Sequence, residues 1–246
     1  MTRLHREVIG GCTLYRGDCM DVLPTLGRFD AVVTDPPYGI NENTKRVADR
    51  QRRQGGKSTA LADQRDYGAF EWDESPPAAE CFDLIARIST HQIIFGGNFF
   101  PLGPTSCWLV WDKEVNGDFA DCELAWTNLK KAVRRIRWQW NGMIRKGHEE
   151  RFHPTQKPLG VMSWCLTHIP DARLIADPFM GSGTTGVACV KAGVSFIGIE
   201  REQTYFDVAC RRIEAAYRQI DMFAPAQSAP DREVWKQPSL SLGGQE

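Results

Sequence analysis

The chain has no Cys-x-x-Cys pair, no internal repeat, and no apolar run near the roughly 18 residues of a membrane span. Its first stretch, Met1–Gly11, lacks the apolar core of a signal peptide. The eight scattered cysteines then read as reduced thiols, many of them core fillers. A soluble, cytoplasmic protein without a membrane partner or a resident metal is expected. An excess of charge of either sign is missing too: the formal net charge is −1, so any basic surface must be local. Bulk disorder is excluded by 42% hydrophobic and 25% charged residues. At 246 residues the chain can bury a sizeable core, as one large α/β domain or two small ones.

What is present centres on Phe29–Ile40. Ala31, Val32 and Val33 form a short continuous apolar run, the pattern of a strand buried on both faces of a parallel sheet. Asp35-Pro36-Pro37-Tyr38 follows at once, and the two prolines end the strand because neither can donate to a ladder. A carboxylate and an aromatic ring are thereby fixed at the carboxyl end of a strand, the edge where open α/β sheets bind ligands. An exocyclic amine on a nucleobase is a poor nucleophile because its lone pair is delocalised into the ring. A carboxylate and a neighbouring main-chain carbonyl that accept its N–H bonds would draw the nitrogen toward a tetrahedral shape. The Tyr38 ring could stack on a base taken out of its helix. A plain proline-rich turn would look the same in isolation.

Upstream, Thr13–Arg16 reads as a short strand, and Asp18 is either the N-cap of a helical stretch over Cys19–Leu26 or a strand-end carboxylate facing a ligand. Residues 39–68 lose periodicity. Within them Lys45, Arg46, Arg50, Arg52, Arg53 and Lys57 face only Glu42 and Asp49 over Asn41–Lys57, which suggests a basic loop that closes over phosphates. Ala78–Ser89 has helical spacing; Gln92–Phe95 and Cys107–Trp111 read as strands. Lys130–Arg151 interleaves Lys130, Lys131, Arg134, Arg135, Arg137, Arg145, Lys146 and Arg151 with Trp138, Trp140 and Met143, as an amphipathic strand with a basic face would. Phosphate contact by the cations and base contact by the aromatics would suit target recognition there, within an insert over 113–151.

His153-Pro-Thr-Gln-Lys-Pro158 is a compact turn before an apolar helix, and from the turn alone Lys157 faces solvent. Leu174–Ala188 is strand, glycine turn and helix, with Gly181, Gly183 and Gly186 in G-x-G-x-x-G spacing. The next apolar run, Val194–Ile199, ends at Glu200, a carboxylate suited to a ribose diol. These features fit a nicotinamide or flavin dinucleotide as well as S-adenosylmethionine, which also carries an adenosine. A last amphipathic helix covers Tyr205–Tyr217, and residues 223–246, rich in Pro, Ser, Gln and Gly, read as a flexible tail behind a 1–222 domain.

Thr34-Asp35-Pro36-Pro37-Tyr38 followed by Asp177-Pro178-Phe179-Met180-Gly181-Ser182-Gly183-Thr184 resembles the S-adenosylmethionine-dependent DNA amino-methyltransferases. With the catalytic motif first and the basic segment between, the order is similar to the family's circularly permuted beta group. The resemblance covers most of Gly11–Tyr217 and not the tail. It implies a Rossmann-like α/β fold with a mostly parallel seven-stranded sheet and a late β-hairpin. It implies that Asp35, Pro36, Pro37 and Tyr38 hold the target base. It also implies that Asp177, Phe179, Gly181, Ser182, Gly183 and Thr184 form the cofactor loop, with Glu200 and its neighbour Arg201 beside the ribose. Asp18 and Cys19 match the segment near the cofactor's adenine, while His153, Thr155, Gln156 and Lys157 match a motif that closes over its methionine end, next to Asp35. Lys45, Arg46, Arg134, Arg135, Arg137, Trp138, Trp140, Arg145 and Lys146 are the expected DNA contacts.

The implied reaction is direct displacement at the sulfonium methyl onto an exocyclic amine of double-stranded DNA. No Pro-Cys dipeptide occurs, so the nucleophile motif of the cytosine-C5 enzymes is absent. Asp at the first motif position leans toward adenine N6 in the family, and Ser toward cytosine N4. RNA or protein amide methylases of related motif tend to carry Asn where this chain has Asp35. A dinucleotide-dependent oxidoreductase would leave Asp-Pro-Pro-Tyr and the basic insert unexplained, and a catalytically silent DNA-binding protein would leave the full motif set without a use. A homodimer and a cognate restriction endonuclease are partners at the level of the family alone.

Overall fold

The computed structural model describes residues 5–39, 75–114, 120–141, 144–145 and 156–223. The basic loop with Lys45 and Arg46, the residues Lys146, His153 and Thr155, and the tail beyond 223 lie outside the described residues. Strands β1 (His5–Ile9) and β2 (Cys12–Arg16) precede the short helix α1 (Cys19–Val22) and β3 (Phe29–Thr34). Helix α2 (Ala79–Ile88) leads into β4 (Ser89–Phe95), followed by β5 (Trp108–Asp112), β6 (Cys122–Thr127) and β7 (Arg134–Arg137). A separate two-stranded ribbon pairs β8 (Trp140–Asn141) with β9 (Ile144–Arg145). Helix α3 (Leu159–Leu166), β10 (Leu174–Asp177), α4 (Thr184–Ala192), β11 (Ser195–Glu200) and α5 (Gln203–Phe223) complete the chain.

The main sheet runs β1-β2-β11-β10-β3-β4-β6-β5-β7. Its centre, from β2 to β4, is parallel, and β6 joins antiparallel to both β4 and β5. The expected α/β class and the hairpin (β5–β6) are present, but among the described residues the sheet has nine strands where seven were expected. The additions are edge strands. β1 folds back on β2 through Gly10, at φ +55°, where the Tyr217 ring packs so closely that no side chain would fit. β7 pairs parallel with β5.

Alternation along β3 divides the core. Ala31 and Val33 join a cluster with Val161, Met162 and Cys165 of α3, Val187 and Val190 of α4, and Phe206 and Ile213 of α5. Val32, between them, points to the other face with Val22, Phe82 and Ile85 of α1 and α2. All three β3 residues are fully buried, as the continuous apolar run required.

From β3 the chain crosses by α2 to β4 on one side, and from β10 it crosses by α4 to β11 on the other. β3 and β10 are neighbours, so the carboxyl ends of these two strands bound the crevice at a topological switch point. Both ends of the pair are fastened. Thr34 Oγ1 donates to Asp177 Oδ1 (2.7 Å), and Asp30 Oδ2 accepts the Arg173 and Leu174 amides (2.8 and 2.9 Å). Among the described residues, no helix is long and apolar enough to cross a membrane.

Candidate active site

A cavity of about 560 Å³ opens at this crevice. Asp35 and Pro37 wall it from the end of β3, Asp18 and Cys19 from the turn after β2, and Gln156 and Lys157 from the turn before α3. Asp177, Phe179, Gly181, Ser182 and Thr184 line it from the glycine turn, and Glu200 and Arg201 from the end of β11. Two stretches about 140 residues apart in sequence thus converge on one space, as the strand order dictates.

The glycine turn is built around a buried carboxylate. Asp177 accepts from Thr34 Oγ1 (2.7 Å), Thr185 Oγ1 (2.6 Å) and the Phe179 amide (3.1 Å). Burial pushes its carboxyl up to about 6, against the pull of those donors. Gly181, at φ +51°, donates its amide to Glu200 Oε2 (2.9 Å), while Glu200 Oε1 accepts the Glu202 amide (2.8 Å). Burial lifts Glu200 to about 7, and the two amides oppose it. Gly183 does not line the cavity. At φ +79° it caps α4, and a Cβ there would meet Ala209 of α5 at 2.9 Å, so its freedom serves helix packing rather than ligand approach. Ser182 is held from behind by Arg212, which donates to its carbonyl (2.7 Å) and hydroxyl (2.9 Å). Asp18 caps α1 through the Met20 amide (2.8 Å) and also stands in the cavity wall, so its two roles coexist.

Around Asp35 the geometry departs from expectation. Tyr38 Oη donates to Asp35 Oδ1 (2.7 Å), and Lys157 Nζ donates to Asp35 Oδ2 (2.5 Å). Lys157 is only 7% exposed, which overturns the solvent-facing reading of its turn. Its ammonium also reaches Glu123 Oε2 of β6 (3.1 Å), and Glu123 Oε1 takes Lys113 Nζ (2.7 Å). Burial works against the Lys157 charge, but Asp35 and Glu123 outweigh it and hold the ammonium above its ordinary range. Burial likewise pushes Glu123 up, yet Lys157 and Lys113 leave it below the usual carboxylate value. For Asp35 burial prevails over Lys157 and the carboxyl is raised. Sequence reasoning missed Glu123. Its one signal was an acid inside the otherwise uncharged run Cys122–Thr127.

Tyr38 is fixed by packing. Its ring stacks on Phe99 (5.1 Å, 18° between planes) and meets Phe100 edge-on, and Gly96, at φ +67°, has room for no Cβ against it. Pro36 is buried beneath the segment.

The basic segment is only partly as expected. Arg134, Arg135 and Arg137 are exposed on the edge strand β7, and Asp112 draws Arg135 (3.5 Å) and Arg137 (3.7 Å). Trp140, however, is 8% exposed in the core cluster, and Trp138 packs against that cluster with its ring over Gly160 of α3. Trp138 follows Arg137 directly and Trp140 pairs with Arg145 across the β8–β9 ribbon, but both rings pack on the core cluster. The apolar area of Trp140 is spent on joining the β8 ribbon to the core, which corrects its reading as a base contact, while Trp138 is half-buried against that core. Arg145 lies on β9.

Comparison with known proteins matches a family model described as DNA methylase over residues 109–211. The type II methyltransferase M.HinfI of Haemophilus influenzae is 27% identical over 250 residues, covering 82% of this chain and 68% of that protein. M.ScaI of Streptomyces caespitosus is 26% identical over 252 residues, covering 82% and 81%. The chain resembles the DNA amino-methyltransferases along most of its length. The methyltransferase-like part matched by the family model begins within β5 and ends within α5. It therefore takes in Glu123, Lys157, the glycine turn and Glu200, and leaves Asp35 outside. A solved methyltransferase, described as PvuII DNA methyltransferase (cytosine-N4-specific), shares the fold with a TM-score of 0.50 at 15% identity, covering 87% of this chain and 93% of that one.

Proposed function

We propose that this chain is a site-specific DNA methyltransferase that moves a methyl group from S-adenosylmethionine to the exocyclic N6 of an adenine turned out of the duplex. The observation that carries the reading is the meeting, in one cavity at the sheet's switch point, of Asp35 on its proline-stiffened strand end with the Asp177–Thr184 turn and Glu200.

The residues fit the cofactor. The cavity volume, about 560 Å³, suits a nucleoside-sized ligand. Glu200 spends one lone pair of each oxygen on an amide and keeps others for ribose hydroxyls, since a carboxylate offers about four acceptor sites. Asp18, Cys19, Gln156 and Phe179 line the same cavity. When bound, S-adenosylmethionine supplies an electrophilic methyl on a sulfonium. The protein's task is then orientation and charge placement. Asp35 and the main-chain carbonyl beside it would accept the two N–H bonds of the target amine. Phe99, stacked on Tyr38 and 49% exposed, extends the aromatic surface against which an unstacked base can lie. Arg134, Arg135 and Arg137 offer the exposed edge strand β7 to phosphates.

Adenine is favoured over cytosine by Asp35 at the first motif position. The deciding experiment incubates the protein and unmethylated duplex DNA with methyl-labelled S-adenosylmethionine and analyses the nucleosides by mass spectrometry. Labelled N6-methyladenine is expected. Labelled N4-methylcytosine would keep the site assignments and replace the base. Bound cofactor with no label in DNA would overturn the reading.

A further inference from the structure

Lys157 and Glu123 have no task in the scheme above, yet Lys157, in the cavity wall, is ion-paired both to Asp35 and to Glu123, which stands outside the cavity lining. As the side chains stand, both oxygens of Asp35 already accept from the protein, one from Tyr38 and the other from Lys157. Each oxygen keeps a further acceptor site, but the Lys157 ammonium draws on the carboxylate's charge, so a target amine meets that charge undivided only if this donor yields. Tyr38 is wedged by Phe99, Phe100 and Gly96. Lys157 is buried too, but a second carboxylate already lies within 3.1 Å of its ammonium, so a small shift of the charge is enough to change which partner holds it. Leaving Asp35 costs Lys157 one of its two ion pairs but does not strand its charge, because Glu123 stays beside it, whereas a buried ammonium abandoned by its only partner would be strongly disfavoured.

We propose that Lys157 is a movable counter-ion, handed from Asp35 to Glu123 as the target amine arrives, and that Glu123 is the positioning residue that receives it. The inference rests on the methyltransferase reading of this site. The handover also suits the proton that the reaction releases. As the nitrogen–carbon bond forms and the sulfur–carbon bond breaks, the amine becomes cationic and gives one proton to the Asp35 carboxylate. The neutral acid no longer holds Lys157, and Glu123 does. Lys113, on the far side of Glu123, keeps that carboxylate ionised to receive it. The other groups facing Asp35 are Tyr38 from its own segment and Asp177 at the end of β10; the latter's charge acts in the same sense as Glu123.

The test uses the full chain and the variants Glu123→Gln, Glu123→Asp and Lys157→Met. Each is read by calorimetric binding of S-adenosylmethionine, single-turnover methylation across pH, and carbon-13 carboxyl titration of Asp35 by NMR. Glu123→Gln should lower the transfer rate about tenfold or more, with cofactor affinity and the DNA KM within about twofold. Glu123→Asp, which retains the charge, should restore most of the rate. Asp35 should titrate lower in Glu123→Gln, where it keeps Lys157 to itself, and higher in Lys157→Met. The acid limb of the rate profile should move with it. A wild-type rate in Glu123→Gln, an equal loss in both Glu123 variants, or an Asp35 titration indifferent to both neighbours would overturn the handover. If the titration shifts as stated while wild-type protein methylates no DNA, the charge coupling stands, and both the methyltransferase reading and the handover built on it fall.

Discussion

Lowering the pH from 8 to 6 should weaken binding of S-adenosylmethionine about tenfold, and Glu200→Gln should remove most of that dependence. Glu200 lies at about 7 because burial disfavours its charge, while its two amide donors compensate only in part. Hydroxyl donors of a ribose add to the amides and favour the ionised form, so binding is linked to loss of a proton. With a free-protein value near 7, the ionised share falls from roughly nine-tenths at pH 8 to one-tenth at pH 6, and the affinity falls in proportion. Isothermal titration in two buffers of different ionisation enthalpy would give both the affinity and the protons released, about half a proton per ligand at pH 7. Asp177, pushed to about 6, contributes in the same direction only toward the acid end. The Glu200→Gln variant separates the two, since a residual slope below pH 6.5 or so would belong to Asp177. A dissociation constant flat from pH 6 to 8 in the wild type would refute the placement of Glu200 at the ribose.

Other perturbations probe the remaining parts. Asp35→Ala should abolish methyl transfer in the labelled-cofactor assay while cofactor affinity by calorimetry changes little. Thr185→Val removes one of three donors to the buried Asp177 and should lower stability by about 1–3 kcal/mol in urea denaturation, with the strand pairing kept. Gly96→Ala places a Cβ 2.2 Å from Tyr38 Cε1 on a left-handed backbone, so a loss of about 2 kcal/mol or more and a slower transfer step should appear together. Neutralising Arg134, Arg135 and Arg137 should flatten the salt dependence of DNA binding by up to about three units of slope, read from affinity against salt concentration.

The parts of the site legible in the sequence were those in which backbone chemistry and function coincide. Three consecutive apolar residues announced a doubly buried strand, and two prolines fixed where it must stop. The glycine turn and Glu200 were legible because tight turns and strand ends leave residue-type signatures. The charge network was not. Lys157 sits in a proline-flanked turn that alone suggests solvent, and its partners lie 34 and 122 residues away, joined only by the tertiary fold. Trp140 misled because a basic stretch with aromatic residues looks the same whether a ring faces a nucleic acid or seals a ribbon onto the core. β1 was invisible because His5, Arg6 and Glu7 show no alternation; that edge strand is exposed and is specified by its turn and by Tyr217.

The adjacency of β3 and β10 has a consequence for synthesis. β2 and β3 are made well before their inner neighbours, β11 and β10. Until then Leu14 and Val32, fully buried in the finished protein, belong to strands with open, apolar edges. A chain terminated before residue 174 would hold Asp35 on such an edge, and open strand edges recruit other chains. Truncated products of this gene would therefore aggregate as well as being inactive, and their clearance would depend on chaperones and proteases.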